Sequence, residues 1–299
     1  VPEGHSVHRI AQQFARHFVG QRVAASSPQG RFADGAALLD GLTMTDARAV
    51  GKQLFLEFDE ALWLRVHLGI YGAWDFAGSI EQERSESSLG APRRARVRMG
   101  EESNAIEVLE GFPADPVGQV RVRLLTATAV ADLRGPTACE VLDAAAVQAV
   151  IDRLGPDPLI DEAREGEERM LERVRRRRVP IGLLLMHQSV VSGIGNVYRA
   201  EILFRARLDP HTPGAALSEE TIRDLWRDWR YLLGVGVETG QMLTMDGLDE
   251  DSQRRALRNR ADRHWVYKRE GLPCRICGTH IVLEMAAARK LYYCPTCQQ

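Results

Sequence analysis

The sequence predicts an α+β protein of more than one domain, and three observations carry that prediction. The chain has 299 residues, about twice the length of an ordinary domain. Its apolar pattern runs from one amphipathic helix through short strand-like stretches and then returns to helical spacing after residue 135. Its last 26 residues hold four of the five cysteines, as two Cys-x2-Cys pairs.

The elements follow in order. Glu3 to Phe18 reads as an amphipathic helix, because Val7, Ile10, Ala11, Phe14 and Phe18 recur at three- and four-residue steps, with Gly20 as its stop. Strand-like runs follow at Leu54–Phe58, Leu62–His67, Arg94–Met99 and Ala105–Val108, with Asp59-Glu60 as a hairpin tip between the first two. Ser79–Pro92 is polar and serine-rich and reads as a surface loop. From Asp143 the spacing is helical as far as Leu154, where Gly155-Pro156-Asp157-Pro158 breaks it. Arg169–Arg178 is a basic helical stretch ending at Pro180. Leu183–Val191 and Asn196–Arg207 read as two helices joined by Ser192-Gly193-Ile194-Gly195, and Thr221–Val235 as a further one. Asp246–Arg263 is charged and without period, and reads as a linker. The expected domains are 1–135, 136–258 and 259–299.

Hydrophobic residues make up 44% of the chain and charged residues 27%, as in ordinary globular proteins. No apolar run reaches the ~18 residues of a membrane span, and no export signal is recognisable, so a cytoplasmic protein without a membrane partner is expected. The net charge of −2 hides an asymmetry: residues 1–168 carry 17 Lys and Arg against 26 Asp and Glu, and residues 169–299 carry 22 against 15. A basic C-terminal part fits a polyanionic partner, although a solvated surface would look the same. Only three of the basic residues are lysines: Lys52, Lys268 and Lys290. A compact ammonium and a planar guanidinium are different tools, so each lysine merits a question.

Cys274, Cys277, Cys294 and Cys297 are spaced as in zinc ribbons, with 16 residues between the pairs. Four thiolates fill a tetrahedral Zn²⁺ completely, which makes the expected site structural rather than catalytic. The fifth, Cys139, reads as a small buried hydrophobe.

Gly193-x-Gly195-Asn196 opens a helix. Glycines allow close backbone approach, and a helix N-terminus offers free N–H groups, which together suit a phosphate. Val1-Pro2-Glu3-Gly4 is at least a good helix start. On a chain that begins at Pro2, with Val1 as a literally translated start codon, the proline nitrogen would be a secondary amine of low pKa, able to attack an electrophilic carbon beside Glu3. If Val1 is retained, that nitrogen is an amide and the chemistry is lost.

Taken in order, Pro2-Glu3-Gly4, Gly51-Lys52, His67-Leu68-Gly69-Ile70-Tyr71-Gly72, Gly155-Pro156-Asp157-Pro158-Leu159, Gly193-Ile194-Gly195-Asn196-Val197-Tyr198 and the terminal cysteine pairs resemble the formamidopyrimidine-DNA glycosylase/endonuclease VIII family over essentially the whole chain. The resemblance implies an N-terminal helix plus β-sandwich and a C-terminal helix–two-turn–helix domain with a zinc ribbon, with damaged DNA lying between them. It implies a base-excision glycosylase and abasic-site lyase, in which Pro2 is the nucleophile, Glu3 the proton-transferring acid and Lys52 a phosphate-contacting catalytic lysine. It places Asn196 and Arg289 on a DNA phosphate, His67 on DNA, and Ile70 and Tyr71 in the gap that a flipped base leaves. Unstacking a base demands a few kcal/mol, part of which an apolar plug offsets.

Two departures stand out. The family's frequent lysine two residues after Pro180 is Gly182 here, and no Arg-x-Phe opposite-strand reader is recognisable. Pro2-Glu3-Gly4 and Ile70-Tyr71-Gly72 bring the resemblance nearer the endonuclease VIII branch, and so nearer oxidised pyrimidines. One active site per chain implies a monomer. A non-catalytic DNA-damage binder of the same fold is the rival reading.

Overall fold

The computed structural model describes residues 2–78, 88–90 and 112–299. The strands expected at 94–99 and 105–108 lie outside the described residues, as does most of the loop expected at 79–92. The chain divides into two compact units, Val1–Asp152 and Arg153–Gln299.

The first unit opens with helix α1 (Gly4–His17). Its apolar stripe of Val7, Ile10, Ala11 and Phe14 is buried, as the spacing predicts. The Phe14 ring lies 4.9 Å from that of Trp74 and 5.1 Å from that of Phe76, so the helix is pinned by aromatic edges. There follow β1 (Ala24–Ser26), α2 (Ala33–Leu39), β2 (Met44–Val50), β3 (Gln53–Phe58), β4 (Leu62–His67), β5 (Ala73–Gly78), β6 (Ser88–Gly90), β7 (Val120–Leu125), β8 (Ala129–Arg134), β9 (Ala138–Asp143) and α3 (Ala144–Ile151). They form two antiparallel sheets, β1-β7-β8-β5-β6 and β2-β3-β4-β9. Leu54, Leu56, Leu64 and Val66 of one sheet share an apolar cluster with Trp74, Phe76, Val122, Leu124 and Leu133 of the other, and with the α1 stripe. This is a β-sandwich closed by a helix. Each large side chain buried there contributes about 1.5–3 kcal/mol.

The second unit is helical and ends in a hairpin. Its elements are α4 (Ala163–Arg175), α5 (Ile181–Leu184), α6 (Asn196–Arg205), α7 (Glu219–Thr239), α8 (Glu250–Arg258), β10 (Val282–Ala286) and β11 (Arg289–Tyr293). Ser218 caps α7 by accepting from the Thr221 N–H, and Gly240 ends it at φ 71°. Trp226 and Trp229 of α7 pack with Tyr198 and Ile202 of α6 in one cluster. A second cluster joins Val197, Ala200 and Phe204 of α6 to Val266, Tyr267, Ile281 and Tyr292.

The structure departs from the expected elements and boundaries in several places. The first compact unit runs to 152, past the expected 135, because β9 pairs with β4 along its whole length and completes the β2-β3-β4 sheet. The second compact unit runs from 153 to 299, and within it α6 shares an apolar cluster with the cysteine module. Leu183–Val191 is not a helix: α5 is one turn, and the chain then winds through turns braced by Gln188. Asp246–Arg263 is not an irregular linker but contains α8, capped by Asp249. Within the loop expected at 79–92, residues 88–90 form a strand paired with β5.

Candidate functional site

The head of α1 is buried. Pro2 is enclosed and Glu3 has no exposed surface. Glu3 is the N-cap residue, in extended conformation, and its carboxylate does not cap the helix. The first turn closes instead through the Ser6 N–H donating to the Glu3 carbonyl at 3.0 Å. His5 and His8 are buried beside this turn, away from the apolar stripe. Burial, followed by the positive charge of Arg9, lowers the His5 pKa to about 3, so its imidazole is neutral at working pH.

Lys52 sits in a two-residue hairpin turn between β2 and β3, flanked by the Val50–Gln53 pair. Gly51 takes φ 58° there, the left-handed conformation that the first central position of such a turn requires. His67, at the end of β4, pairs with Gln53. Burial lowers its pKa, and the charges of Lys52 and Arg65 lower it further. Lys52 and His67 therefore lie within electrostatic reach of each other at one end of the sheet.

The chain then turns outward. Gly72 donates its N–H to the Leu68 carbonyl at 3.0 Å, closing a tight turn with Ile70 and Tyr71 at its tip, 55% and 70% exposed. Packing of a β-strand core is thus excluded for this pair. Both flanking glycines are obligatory: a Cβ at Gly69 would meet Thr137 Oγ1 at 1.8 Å, and one at Gly72 would meet the Leu68 carbonyl at 2.3 Å.

In the second unit, Asn196 is the first residue of α6, after an extended Gly195. Gly193 takes φ 91°. Gln188 braces this turn, accepting from the Gly193 N–H at 3.0 Å and donating to the Ile194 carbonyl at 3.0 Å. Arg199, fully buried one turn along α6, donates to Asn196 Oδ1 at 3.0 Å and to the Lys290 carbonyl at 2.7 Å. The same guanidinium thus holds the Asn196 side chain and the backbone of the β10–β11 hairpin. Arg289 opens β11, exposed, after a turn in which Ala287 and Ala288 both have positive φ. Asn196 and Arg289 are brought to one region by Arg199, which sequence reading missed. Its spacing of three residues from Asn196 was the available signal. Gly182 donates its N–H to the Pro210 carbonyl at 2.9 Å. A Cβ there would press on Pro210 at 3.0–3.1 Å, so the chain leaves little room for a side chain at this position.

The four cysteine sulfurs of 274, 277, 294 and 297 all lie within 4.8 Å of one another. Cys274 and Cys297 sulfurs are 3.9 Å apart, and those of Cys277 and Cys294 3.5 Å. A disulfide needs about 2.05 Å. A tetrahedron of ~2.3 Å Zn–S bonds sets its sulfurs ~3.8 Å apart. The donor set fits a structural Zn²⁺. The module is fastened to α6 by Glu201, which has no exposed surface. Its Oε1 accepts from the N–H groups of Val266 at 2.9 Å and Tyr267 at 2.8 Å, and its Oε2 from the Trp265 N–H at 2.7 Å and the Thr244 hydroxyl.

Among the described residues, no helix is long and apolar enough to cross a membrane.

Comparison with known proteins agrees over the full length. Residues 1–108 match the formamidopyrimidine-DNA glycosylase N-terminal domain, 154–246 the formamidopyrimidine-DNA glycosylase H2TH domain, and 271–299 the zinc finger found in FPG and IleRS. The chain is 38% identical over 298 residues to Endonuclease 8 1 of Mycobacterium tuberculosis, covering 100% of both. The crystal structure of the MutM (Fpg) protein of Thermus thermophilus superposes with a TM-score of 0.70 at 25% identity, over 99% of this chain and 98% of that one. Lactococcus lactis Fpg in complex with N7-benzyl-Fapy-dG DNA shares the fold, with a TM-score of 0.74 at 20% identity over 100% of both chains. A β-sandwich headed by a buried Pro-Glu, a braced Gly-x-Gly-Asn turn and a four-cysteine hairpin, matched end to end, place this chain in the formamidopyrimidine-DNA glycosylase/endonuclease VIII family of DNA repair glycosylases.

Proposed function

We propose that the protein is a bifunctional DNA glycosylase and abasic-site lyase that removes oxidised bases, pyrimidines foremost, from damaged DNA. The observation that carries this reading is the enclosed Pro2-Glu3 at the head of α1, where Glu3 is fully buried yet does not serve the helix as a cap. A buried carboxylic acid next to Pro2 in the chain is suited to moving a proton beside the proline nitrogen. Full-length identity to an endonuclease 8 supports the pyrimidine preference.

On a chain beginning at Pro2, the proline nitrogen lone pair attacks C1′ of the damaged nucleotide. The C1′–N glycosidic bond breaks, and its electron pair leaves with the base, which takes up a proton. The nitrogen then loses its proton and the C1′–O4′ bond opens, with O4′ protonated from Glu3, leaving an iminium between Pro2 and C1′. The iminium acidifies the C2′ proton. Its removal expels the 3′ phosphate with the C3′–O electron pair, and a second elimination expels the 5′ phosphate. The zinc takes no part: with four thiolates it has no open position, and it holds the hairpin that carries Arg289.

The remaining assignments concern DNA. Lys52 contacts a phosphate beside the lesion, and His67, neutral in its setting, lies beside it. Asn196 and Arg289 grip a further phosphate. Ile70 and Tyr71 fill the vacated stack, for which their exposed tip is shaped.

The test is borohydride trapping on duplexes carrying thymine glycol or an abasic site, with wild type beside Pro2→Gly and Glu3→Gln. A covalent adduct mapping to Pro2 is expected. No adduct from protein shown by intact mass to start at Pro2 overturns the reading in favour of a non-catalytic damage binder.

A further inference from the structure

One cluster of ionisable side chains in the second unit neither holds the metal nor touches the Asn196 turn. His211 lies in the loop that follows α6. Its Nδ1 is 2.7 Å from Asp209 Oδ1, and its Nε2 is 2.7 Å from Glu284 Oε1. Glu284 belongs to β10, on the zinc hairpin. Tyr293 of β11 completes the group: its hydroxyl donates to Glu284 Oε2 at 3.5 Å, and the His211 ring stands edge-on to it, 80° between planes.

The loop side of this bridge is itself tied down. The Ile181 and Gly182 N–H groups donate to the carbonyls of Thr212 and Pro210 at 2.8 and 2.9 Å, and Asp209 Oδ1 also accepts from the His211 N–H at 2.9 Å. The bridge therefore joins a fixed loop to a hairpin 73 residues away in sequence. We propose that the Asp209–His211–Glu284 bridge is a positioning clasp for the zinc hairpin, and that loss of its proton loosens the presentation of Arg289 to DNA. The proposal rests on the phosphate role given to Arg289 above.

The chemistry supports it. An imidazolium donates from both nitrogens, so one residue can hold two carboxylates at once. A neutral imidazole keeps a single N–H, and its other nitrogen then points a lone pair at a carboxylate, so one end of the clasp opens. Burial alone would lower the His211 pKa, but the hydrogen bonds and charges of Glu284 and Asp209 outweigh it and raise the pKa above the usual value. Asp209 from the loop and Glu284 from β10 are the charged groups facing the ring, with the Tyr293 phenol on β11. The sign follows: a histidine with a raised folded pKa contributes fully below the unfolded value, and its contribution is lost as pH rises through the folded one. The partners are partly exposed, so the effect is modest.

The experiment uses the zinc-loaded full chain and a duplex with a tetrahydrofuran abasic analogue. Affinity is measured from pH 6 to 9 for wild type, His211→Gln, His211→Arg and Arg289→Ala, with hydrogen exchange of residues 282–293 corrected for intrinsic rate. Wild-type affinity should fall about three- to tenfold more across this range than that of either His211 variant. His211→Gln should be weak throughout, with faster hairpin exchange. His211→Arg, a permanent cation, should stay tight at high pH. If hairpin exchange in His211→Gln equals that of wild type, there is no clasp. If exchange responds while the affinity profiles coincide and Arg289→Ala weakens binding, the link from clasp to DNA is refuted. If Arg289→Ala binds as wild type does, the phosphate role of Arg289 has failed, and the exchange result still decides the clasp.

Discussion

Glu201→Gln exchanges one carboxylate oxygen for an NH2 at nearly constant volume. In the native chain this buried carboxylate receives four donors: three successive backbone N–H groups, of Trp265, Val266 and Tyr267, and the Thr244 hydroxyl. A glutamine oxygen can still serve the Val266 and Tyr267 pair. Its NH2 then faces the Trp265 N–H, which becomes a donor with no acceptor, while the Thr244 hydroxyl can rotate to accept. One charge-assisted bond is worth about 1.5–3 kcal/mol, and stranding a buried donor costs about 1–3 kcal/mol. With some relief from no longer burying a charge, the expected loss is about 3 kcal/mol, or a fall in Tm of the second unit of about 6–12 °C. Urea unfolding followed by tryptophan fluorescence reads the loss, and chelator competition reads the accompanying release of zinc. Glu201→Leu, which takes the carboxylate acceptor from all three backbone N–H groups and leaves the Thr244 hydroxyl only the Arg263 carbonyl, should be worse. A Glu201→Gln protein within ~0.5 kcal/mol of wild type, with unchanged zinc retention, would refute the view that this carboxylate fastens the cysteine module to α6.

Other outcomes follow from the same geometry. His5 is neutral in the fold but takes a proton in the unfolded chain at its ordinary pKa of 6.5. Its stabilising contribution is therefore complete above that value and declines as pH falls toward 3, by about 2–3 kcal/mol between pH 6.5 and 4.5; urea titrations of wild type and His5→Leu at the two pH values should differ by that amount. Gly69→Ala forces a left-handed alanine against Thr137 Oγ1 and should cost about 2 kcal/mol or more, with Gly69→Ala, Thr137→Ser recovering little because the oxygen remains. Ile70→Ala and Tyr71→Ala should leave thermal stability within ~0.5 kcal/mol while slowing base extrusion, read by 2-aminopurine fluorescence next to a lesion; unchanged extrusion would remove them from the stack. Stripping Zn²⁺ with a strong chelator should unfold the β10–β11 hairpin, seen as lost amide protection from Cys274 onward, and leave the β-sandwich intact.

Parts of this molecule are plainly written in the chain. Two Cys-x2-Cys pairs state a metal site because local turns alone bring each pair together, and the α1 stripe states a helix because one continuous apolar wall covers it. The Ile70–Tyr71 tip is legible from its glycines, whose missing Cβ atoms the turn demands. What was not legible depends on distant partners or on polar forces. Helix α8 buries only Ala256 and is held by its Asp249 cap and by Arg254 pairing with Glu250 and Asp251, so it has no apolar period to find. Strand β9 belongs to the β2-β3-β4 sheet only because β4, some seventy residues earlier, offers it an edge. Arg199 and Glu201 reach backbone groups far along the chain, at Lys290 and at Trp265–Tyr267, and nothing near them in sequence announces those distant partners.

The bond between Arg199 and Asn196 also settles an orientation. A guanidinium has donors and no acceptors, so the amide of Asn196 must turn its oxygen toward Arg199. The nitrogen end is thereby the end of the amide left to donate, at the first residue of α6. The polarity of the side chain is fixed before any ligand arrives, and the amide can offer a ligand only a hydrogen-bond donor. Such a donor is complementary to an oxygen-bearing anion and repels a cation. An Asn196→Asp variant, identical in shape, would trade that NH2 for an oxygen and reverse the preference.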